Sequence, residues 1–178
     1  MIRLETERLI LRNYQLDDIA EVYDYFSNEE VARYEDFYPM SKEEVVELVT
    51  EWMTMENRLV AVLKDTDKVI GSIGYWIDED GDYSIDFDFN PKSGKQGYAT
   101  EAASKLLKYL FEDIKIPKIF GDCDIRNENS YHLLERLGFE RIEQIDDVSY
   151  KDDEDGKPIL ISIYLYLKKN ENLKKMLK

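Results

Sequence analysis

The stretch that decides the fold is Phe89-Asn-Pro-Lys-Ser-Gly-Lys-Gln-Gly-Tyr-Ala-Thr-Glu-Ala102. It ends an alternating apolar segment, crosses a short basic loop that contains Gly94 and Gly97, and opens an amphipathic helix. The first N–H groups of a helix have no intrahelical partner, and glycines let a ligand approach them closely. This order of strand, basic glycine loop and helix predicts a site that holds the phosphates of a nucleotide-like molecule.

The composition is that of an ordinary soluble globular protein, with 43% hydrophobic and 35% charged residues in 178. The formal net charge of −15 argues against a nucleic-acid partner, because such binding needs Lys and Arg to neutralise phosphates. The same charge favours a cationic small molecule or peptide. An anionic cofactor then requires a local island of positive charge, which Lys92 and Lys95 supply.

Cysteine usage and hydropathy indicate a cytoplasmic protein that is not in a membrane. The single cysteine, Cys123, suits a reducing compartment. No apolar run approaches the ~20 residues that span a bilayer, and acidic residues occupy positions 5 and 7, where a secretory signal has an apolar core. No His, Cys or carboxylate group has metal-ligand spacing, so we expect no metal.

Hydrophobic periodicity predicts strands alternating with helices. The predicted strands are residues 8–14, 59–63, 69–77, 83–89, 118–124, 140–150 and 159–167. The predicted helices begin at a cap formed by Asp17 or Asp18, near Asn28, at a Ser41-Lys-Glu-Glu44 capping box, after Gly97, and at Asn127.

These elements predict an α+β fold, a single domain over residues 1–178 in which a mixed central sheet of about seven strands is flanked by helices. The basic end, residues 168–178, is expected to form a loosely held tail or a short helix.

Four motifs in this order resemble the GNAT superfamily of acyl-CoA-dependent N-acetyltransferases. They are Glu5-Thr-Glu-Arg-Leu-Ile-Leu-Arg12, Val69-Ile-Gly-Ser-Ile-Gly74, Gly97-Tyr-Ala-Thr-Glu-Ala102, and Asn127-Glu-Asn-Ser130 followed by Leu133 to Phe139. The resemblance covers nearly the whole chain and is strongest to the branch that contains the ribosomal-protein alanine N-acetyltransferases. It implies that acetyl-CoA is the acyl donor.

The resemblance also implies which residues bind the cofactor: backbone groups on the strand for its pantetheine arm, and the glycine loop for its pyrophosphate. The implied residues are Phe87, Phe89, Lys92, Gly94, Lys95, Gln96, Gly97, Tyr98, Ala99, Thr100, Asn127 and Ser130. Two positions depart from the family pattern. Gly94 stands where Arg, Gln or Trp is usual, and Lys95 stands where a glycine is usual.

Amide formation requires a neutral amine, and many relatives keep a glutamate on the strand before the loop for this purpose. The matching position here is Ser84. Strand parity places Asp86 and Asp88 on the same face as Ser84, so either aspartate is a candidate to bind the cationic amine or to take its proton through water. The alternative is that this face is a solvated polar surface.

The departing thiolate needs a proton or a hydrogen bond, and the tyrosine that many relatives use is replaced by Leu134. The resemblance offers Ser130 as a hydrogen-bond partner of the sulfur, with Tyr131 as the second candidate. Asn127 and Ser130 are also residue types that favour helix N-caps, and the two roles are compatible.

The acceptor site is expected outside the cofactor-binding core, in a segment that combines aromatic rings with carboxylates, as recognition of an organic cation requires. The candidate residues are Tyr34, Glu35, Asp36, Phe37 and Tyr38, whose aromatic rings alternatively serve only to pack.

Together these features predict a cytoplasmic N-acetyltransferase, monomeric or homodimeric, that transfers acetyl directly to a primary amine of a small molecule, peptide or protein N-terminus. The alternative is a non-catalytic acyl-CoA-binding or regulatory module on the same fold, because the usual residues are absent at Ser84 and Leu134.

Overall fold

The computed structural model describes residues 1–171, which form eight strands and five α-helices. The strands are β1 (Arg3–Glu5), β2 (Leu9–Arg12), β3 (Arg58–Leu63), β4 (Val69–Ile77), β5 (Tyr83–Phe89), β6 (Lys118–Asp124), β7 (Glu140–Asp152) and β8 (Pro158–Lys169). The helices are α1 (Ile19–Phe26), α2 (Glu29–Ala32), α3 (Lys42–Trp52), α4 (Tyr98–Lys108) and α5 (Glu128–Arg136), and a π-helical turn over Tyr109–Asp113 continues α4.

The strands form one mixed sheet in the order β1-β2-β3-β4-β5-β6-β8-β7. Strands β1 to β4 pair antiparallel with their neighbours, as do β6, β8 and β7, whereas β5 and β6 are parallel at Ser84 and Phe120. The predicted α+β class and mixed sheet are therefore confirmed, with eight strands rather than about seven. Within residues 1–171, no helix combines the length and the hydropathy that a membrane span needs.

The chain divides into two compact units. The first contains Met1–Tyr75 and Asp86–Leu106, and the second contains Trp76–Ile85 and the chain from Leu107 onward. The assignment of all residues to a single domain stays a prediction.

The additional strand is β1, which lies before the first strand predicted from the sequence. It has only three residues, too few to show a hydrophobic period. A turn joins it to β2, in which the Thr6 N–H donates to the Leu9 carbonyl at 3.0 Å and the Leu9 N–H donates to Thr6 Oγ1 at 2.8 Å. Side-chain bonding of a threonine to the backbone, rather than periodicity, produces this hairpin.

Of the caps predicted for α1 and α3, the one at α3 is present and the one at α1 is not. At α3, the Glu44 N–H donates to Ser41 Oγ at 3.2 Å and the Ser41 N–H donates to Glu44 Oε2 at 2.7 Å, which is the predicted capping box. Asp18 precedes α1 but does not cap it. Its carboxylate instead accepts hydrogen bonds from the Arg12 guanidinium at 2.7 and 2.8 Å, because a buried charge needs an opposite one.

The core of the first unit lies between helices α1 and α3 and strands β2 to β4. The Trp52 ring packs edge-on against Tyr14 and Phe26, with ring centroids 5.4 and 6.0 Å apart. Burying each such large side chain contributes about 1.5–3 kcal/mol. The buried members of this core are Tyr14, Val22, Tyr25, Phe26, Val45, Val49, Val60, Val62 and Val69.

In the second unit, α5 contributes two buried leucines, Leu133 and Leu134. Leu134, at the position where many relatives keep a tyrosine, is 1% exposed. It is therefore a core residue and has no access to a ligand.

The prediction of a loose tail is wrong for its first three residues. Lys168 and Lys169 belong to β8, and Asn170 is buried. The Asn170 side chain donates to the carbonyls of Phe111 and Ile116 at 2.9 and 3.0 Å, which satisfies backbone groups that the sequence pattern does not reveal. Residues 172–178 of the predicted tail lie outside the described residues.

We expect the substitution Asn170→Ala to destabilise the protein by about 2 kcal/mol, because it leaves two buried carbonyl oxygens without a donor. The neighbouring exposed substitution Lys169→Ala is the control and should change stability by less than about 0.5 kcal/mol. Urea unfolding followed by circular dichroism measures both, and equal effects of the two would show that Asn170 is not a structural anchor.

Candidate functional site

The polar face of β5 is partly buried, with intermediate exposure at Asp86 and Asp88, so it is not the fully solvated surface of the alternative drawn from the sequence. Ser84 is 7% exposed. Asp86 Oδ2 accepts a short hydrogen bond from the Arg58 guanidinium of β3, whereas Asp86 Oδ1 is buried and has no hydrogen-bond partner among residues 1–171. Buried carboxylate oxygens are nearly always paired, so this atom marks a site that is ready to accept a donor.

Asp88 has a strongly perturbed acidity. Burial raises its pKa well above the usual aspartate value, and repulsion from Glu35, Asp86 and Asp36 raises it further, while Arg58 opposes the change. Burial also raises the pKa of Asp86, against the effect of Arg58. The structure therefore brings the predicted catalytic pair within electrostatic range of Glu35 and Asp36 from the predicted acceptor segment.

The aromatic residues of that segment have different surroundings. Phe37 packs edge-on against Phe26 with ring centroids 5.1 Å apart, so its ring belongs to the core margin. Tyr38 is 52% exposed, and Tyr34 is partly exposed. From this segment, Glu35 and Asp36 act electrostatically on the aspartates of β5.

Three hydroxyl groups that the sequence analysis missed form a buried cluster, and two of them, those of Tyr14 and Tyr25, interact electrostatically with Asp88. The Tyr25 and Ser72 hydroxyl oxygens lie 2.5 Å apart, and Tyr14 makes a short hydrogen bond with the same serine. Burial raises the pKa of both tyrosines well above the usual phenol value, and the charge of Asp88 contributes to this. Both phenols therefore stay protonated and can act as hydrogen-bond donors.

The predicted phosphate loop turns sharply between β5 and α4. Asn90 Oδ1 accepts from the Lys92 N–H at 3.0 Å and caps a short 3₁₀ turn over Pro91–Ser93. Lys95 and Gly97 both adopt left-handed backbone angles, with φ of 60° and 80°. A left-handed φ is least costly for glycine, which explains why glycine is usual at the position of Lys95.

The residues of this loop differ in whether their charge is paired and in how closely other atoms approach them. The Lys92 ammonium lies 2.7 Å from Asp24 Oδ1, so its charge is already balanced, whereas Lys95 is exposed. A Cβ atom at Gly94 would lie 2.9 Å from the Pro91 carbonyl oxygen, so a larger residue there needs the loop to move. The short distance to the Pro91 carbonyl is the physical reason for glycine at position 94, where relatives have a long side chain.

A second missed feature ties the start of α4 to the N-terminal hairpin. The Glu101 carboxylate accepts hydrogen bonds from Thr6 Oγ1 at 2.5 Å and from the Arg8 N–H at 2.9 Å, and it pairs with the Arg8 guanidinium at 2.6 Å. Arg8 also donates to the Gln96 carbonyl at 2.9 Å and lies over the Tyr98 ring, 4.4 Å from its centroid. The opening motif thus holds both the loop and the first turn of the helix.

In the second unit, Asn127 caps α5, as the sequence allows. Its Oδ1 accepts from the Ser130 N–H at 3.2 Å. Burial raises the pKa of the Cys123 thiol to about 12, and a hydrogen bond with the Ser130 side chain opposes this shift. Tyr131 packs edge-on against Tyr164. Cofactor and catalytic roles for Asn127, Ser130 and Tyr131 stay predictions.

The family model described as acetyltransferase (GNAT) domain matches residues 8–140. This span includes strands β2 to β6, the glycine loop, α4 and α5. The chain belongs to the GNAT family of acetyltransferases.

The relatives of this GNAT chain agree with that assignment. It is 30% identical over 175 residues to the uncharacterized N-acetyltransferase p20 of Bacillus licheniformis, which covers 93% of this chain and 95% of the relative. Its structure matches a GNAT-family acetyltransferase from Bacillus anthracis with a TM-score of 0.86, 26% identity and coverage of 96% and 99% of the two chains. The prediction that the protein is an N-acetyltransferase is confirmed.

The branch resemblance is also seen in the fold. The ribosomal-protein-S5-alanine acetyltransferase of Vibrio fischeri matches with a TM-score of 0.75 and 19% identity, covering 97% of this chain and 99% of that one. At this identity the match shows the shared fold and does not identify the acceptor.

Acetyl-CoA is the acyl donor of GNAT enzymes and an amine is the acceptor, and the residues of the loop fit such a donor. The α4 helix begins at Tyr98 with N–H groups that have no earlier carbonyl within the helix to bond. The exposed Lys95 adds positive charge beside them. Anion binding at a helix N-terminus needs no further group.

The Glu101 anchor predicts a pH-dependent loss of stability in Glu101→Gln. Burial raises the pKa of Glu101, but the hydrogen bonds from Thr6 and Arg8 outweigh it, so the pKa lies below its usual value. A lowered carboxyl pKa stabilises the fold above the unfolded-state pKa, and this contribution is lost as pH falls through the folded-state pKa. We expect a loss of about 1–2 kcal/mol at pH 7 that shrinks in acid.

The matched control is Glu112→Gln, which removes an exposed ion pair whose atoms lie 3.8 Å apart between side chains that are 63% and 50% exposed. Such a pair contributes almost nothing, so no change is expected. Chemical denaturation across pH measures both variants. A Glu101→Gln effect as small as the control would contradict the anchor.

Proposed function

We propose that this enzyme transfers acetyl directly from acetyl-CoA to a primary, cationic amine of a small molecule, a peptide or a protein N-terminus, with no covalent enzyme intermediate. The observation that carries the proposal is the placement of Asp86 and Asp88 at the end of β5, immediately before the glycine loop and in electrostatic contact with Glu35 and Asp36. The formal net charge of −15 supports a cationic acceptor over nucleic acid.

The two aspartates have complementary properties for an amine. An alkylammonium has no lone pair, so it must lose a proton before it reacts. Asp86 Oδ1 is a buried acceptor without a partner, suited to hold the amine. Asp88 is the stronger base because burial and neighbouring carboxylates raise its pKa. We therefore assign amine binding to Asp86 and proton acceptance to Asp88.

Residues on either side of the first unit's loop would hold the donor, and bound acetyl-CoA would supply an activated acetyl thioester. Backbone groups of Phe87 and Phe89 are assigned to the pantetheine arm. The N–H groups from Gly97 to Thr100 and the Lys95 ammonium are assigned to the diphosphate. The roles of Asn127 and Ser130, in the second unit, rest on the family resemblance.

The assignment of Asp88 predicts a change in the pH profile. A base works only when deprotonated, so activity should fall as pH drops through the raised pKa of Asp88. Asp88→Asn cannot accept the proton, so kcat/KM should fall about 100-fold near neutral pH and lose this acid limb. Release of the CoA thiol against an amine panel, measured as a function of pH, checks both effects.

The control for Asp88→Asn is Asp65→Asn, in the exposed turn between β3 and β4, which should keep the wild-type profile. An Asp88→Asn variant with an unchanged rate and an unchanged acid limb would show that another group, or water alone, takes the proton.

The loop assignment predicts weaker cofactor binding in Lys95→Glu. Reversing one exposed charge beside a diphosphate replaces an attraction by a repulsion, so the dissociation constant for acetyl-CoA should rise about tenfold. Lys42→Glu, at the exposed start of α3, is the control and should bind as the wild type does. Titration calorimetry measures both, and equal affinities would remove Lys95 from the site.

A further inference from the structure

Arg58 of β3 is confined on three sides. Its guanidinium pairs with Asp86 Oδ2 and lies 4.9 Å from the centroid of the Trp52 ring. On the third side is Gly74 of β4, where a Cβ atom would come within 3.3 Å of both Arg58 Cδ and Nη1. The arginine is mostly buried, so it holds Asp86 in one orientation.

We propose that Arg58 is a positioning residue of the acceptor site: by binding Asp86 through Oδ2, it directs Oδ1 to the incoming amine and sets the proton balance between Asp86 and Asp88. This inference rests on the proposed function. An arginine suits the task because its planar guanidinium can pack against the Trp52 ring while one nitrogen pairs with the carboxylate, and because its charge is permanent. Because Oδ1 is buried without a partner, an amine donor would satisfy it.

Among the charged groups around the two aspartates, Arg58 favours their ionised forms. The groups that act on Asp88 are Glu35 and Asp36 after α2, Asp86 on β5 and Arg58 on β3, and its own charge acts on the buried hydroxyls of Tyr14 and Tyr25. The carboxylates repel a charge on Asp88, and Arg58 is the group that favours it. Arg58 has the same effect on Asp86.

The sign of each change follows from this arrangement. Removing the Arg58 charge should raise the pKa of both aspartates further, so that a higher pH is needed to form the base. Removing the Asp86 charge should lower the pKa of Asp88. Removing both charges together should largely cancel the two effects.

The test compares four variants by kcat/KM and KM for the amine across pH. We expect Arg58→Gln to raise the amine KM about tenfold and to move the acid limb to higher pH. Arg58→Lys should restore the acid limb to its wild-type pH, because it keeps the charge. The amine KM should stay raised, because an ammonium lacks the planar guanidinium that packs against Trp52 and orients Asp86. Asp86→Asn should move the acid limb to lower pH. The double variant Arg58→Gln with Asp86→Asn should have an acid limb close to that of the wild type.

Arg12→Gln is the control for a purely structural effect. It breaks an ion pair of the same type in the same unit, in which Arg12 Nη2 lies 2.7 Å from Asp18 Oδ1. It should lower stability without moving the acid limb or the amine KM. Wild-type behaviour of Arg58→Gln, or an equal limb shift in Arg12→Gln, would overturn the proposal.

A second measurement needs no substrate and separates this inference from the proposed function. A carboxyl group with a raised pKa stabilises the fold at low pH, and this contribution is lost as pH rises through the folded-state pKa. Arg58→Gln should therefore lose stability with rising pH more steeply than the wild type, and adding Asp88→Asn should reduce the difference. Equal slopes reject the role of Arg58 in proton balance, whereas failure of the wild type to bind acetyl-CoA or acetylate any amine rejects the proposed function alone.

If Arg58→Gln does not fold, Asp86→Asn and Arg58→Lys carry the test. Asp86→Asn without a shift of the limb to lower pH, or Arg58→Lys with a limb displaced from the wild-type position, would count against the proposal.

Discussion

The chemistry proposed for the first unit depends on two carboxylates that are held partly out of water along one face of β5. Taking Asp86 and Asp88 out of water is unfavourable unless opposite charges or hydrogen bonds compensate. Arg58 compensates only in part, because it engages one oxygen of Asp86, while Glu35 and Asp36 add repulsion. An arrangement that is unfavourable for folding and lies beside a ligand loop is typical of a functional site.

The remainder of that unit is built to hold this strand and the loop that follows it. Strand β3 supplies Arg58, and β4 supplies both Gly74, which gives the arginine room, and Ser72, which ties the hydroxyls of Tyr14 and Tyr25 together. The N-terminal hairpin holds the next helix through Glu101. Rigid support of this kind fixes reactive groups to within the small tolerances that catalysis requires.

Local sequence signals predicted the helices and strands well. The site was predicted less completely, because it depends on contacts between residues far apart in the sequence. β5 runs from Tyr83 to Phe89 as expected, because alternation is a property of neighbouring residues. The Arg58–Asp86 pair spans 28 residues, the Tyr14–Ser72 contact 58 and the Thr6–Glu101 contact 95. No local pattern encodes such pairs, and β1 was missed because three residues show no period.

The family resemblance located the loop and the strand but not the charges that act on them. The charge pattern placed Lys92 in a basic island, whereas the side chain pairs with Asp24, which lies in α1. The resemblance treated Lys95 as a departure from glycine, and the left-handed backbone there shows what glycine would contribute. In both cases the sequence position was informative, and the side-chain environment required coordinates.

The buried thiol has a practical consequence for studying this enzyme. Cys123 is the one cysteine of the chain and is 6% exposed, and burial raises the pKa of its thiol to about 12, so the reactive thiolate is scarce at neutral pH. A chromogenic disulfide reagent added during turnover would therefore react with the thiol of the released CoA. It would react hardly at all with Cys123 of the folded enzyme. A slow rise in colour without substrate would instead signal opening of the second unit around β6.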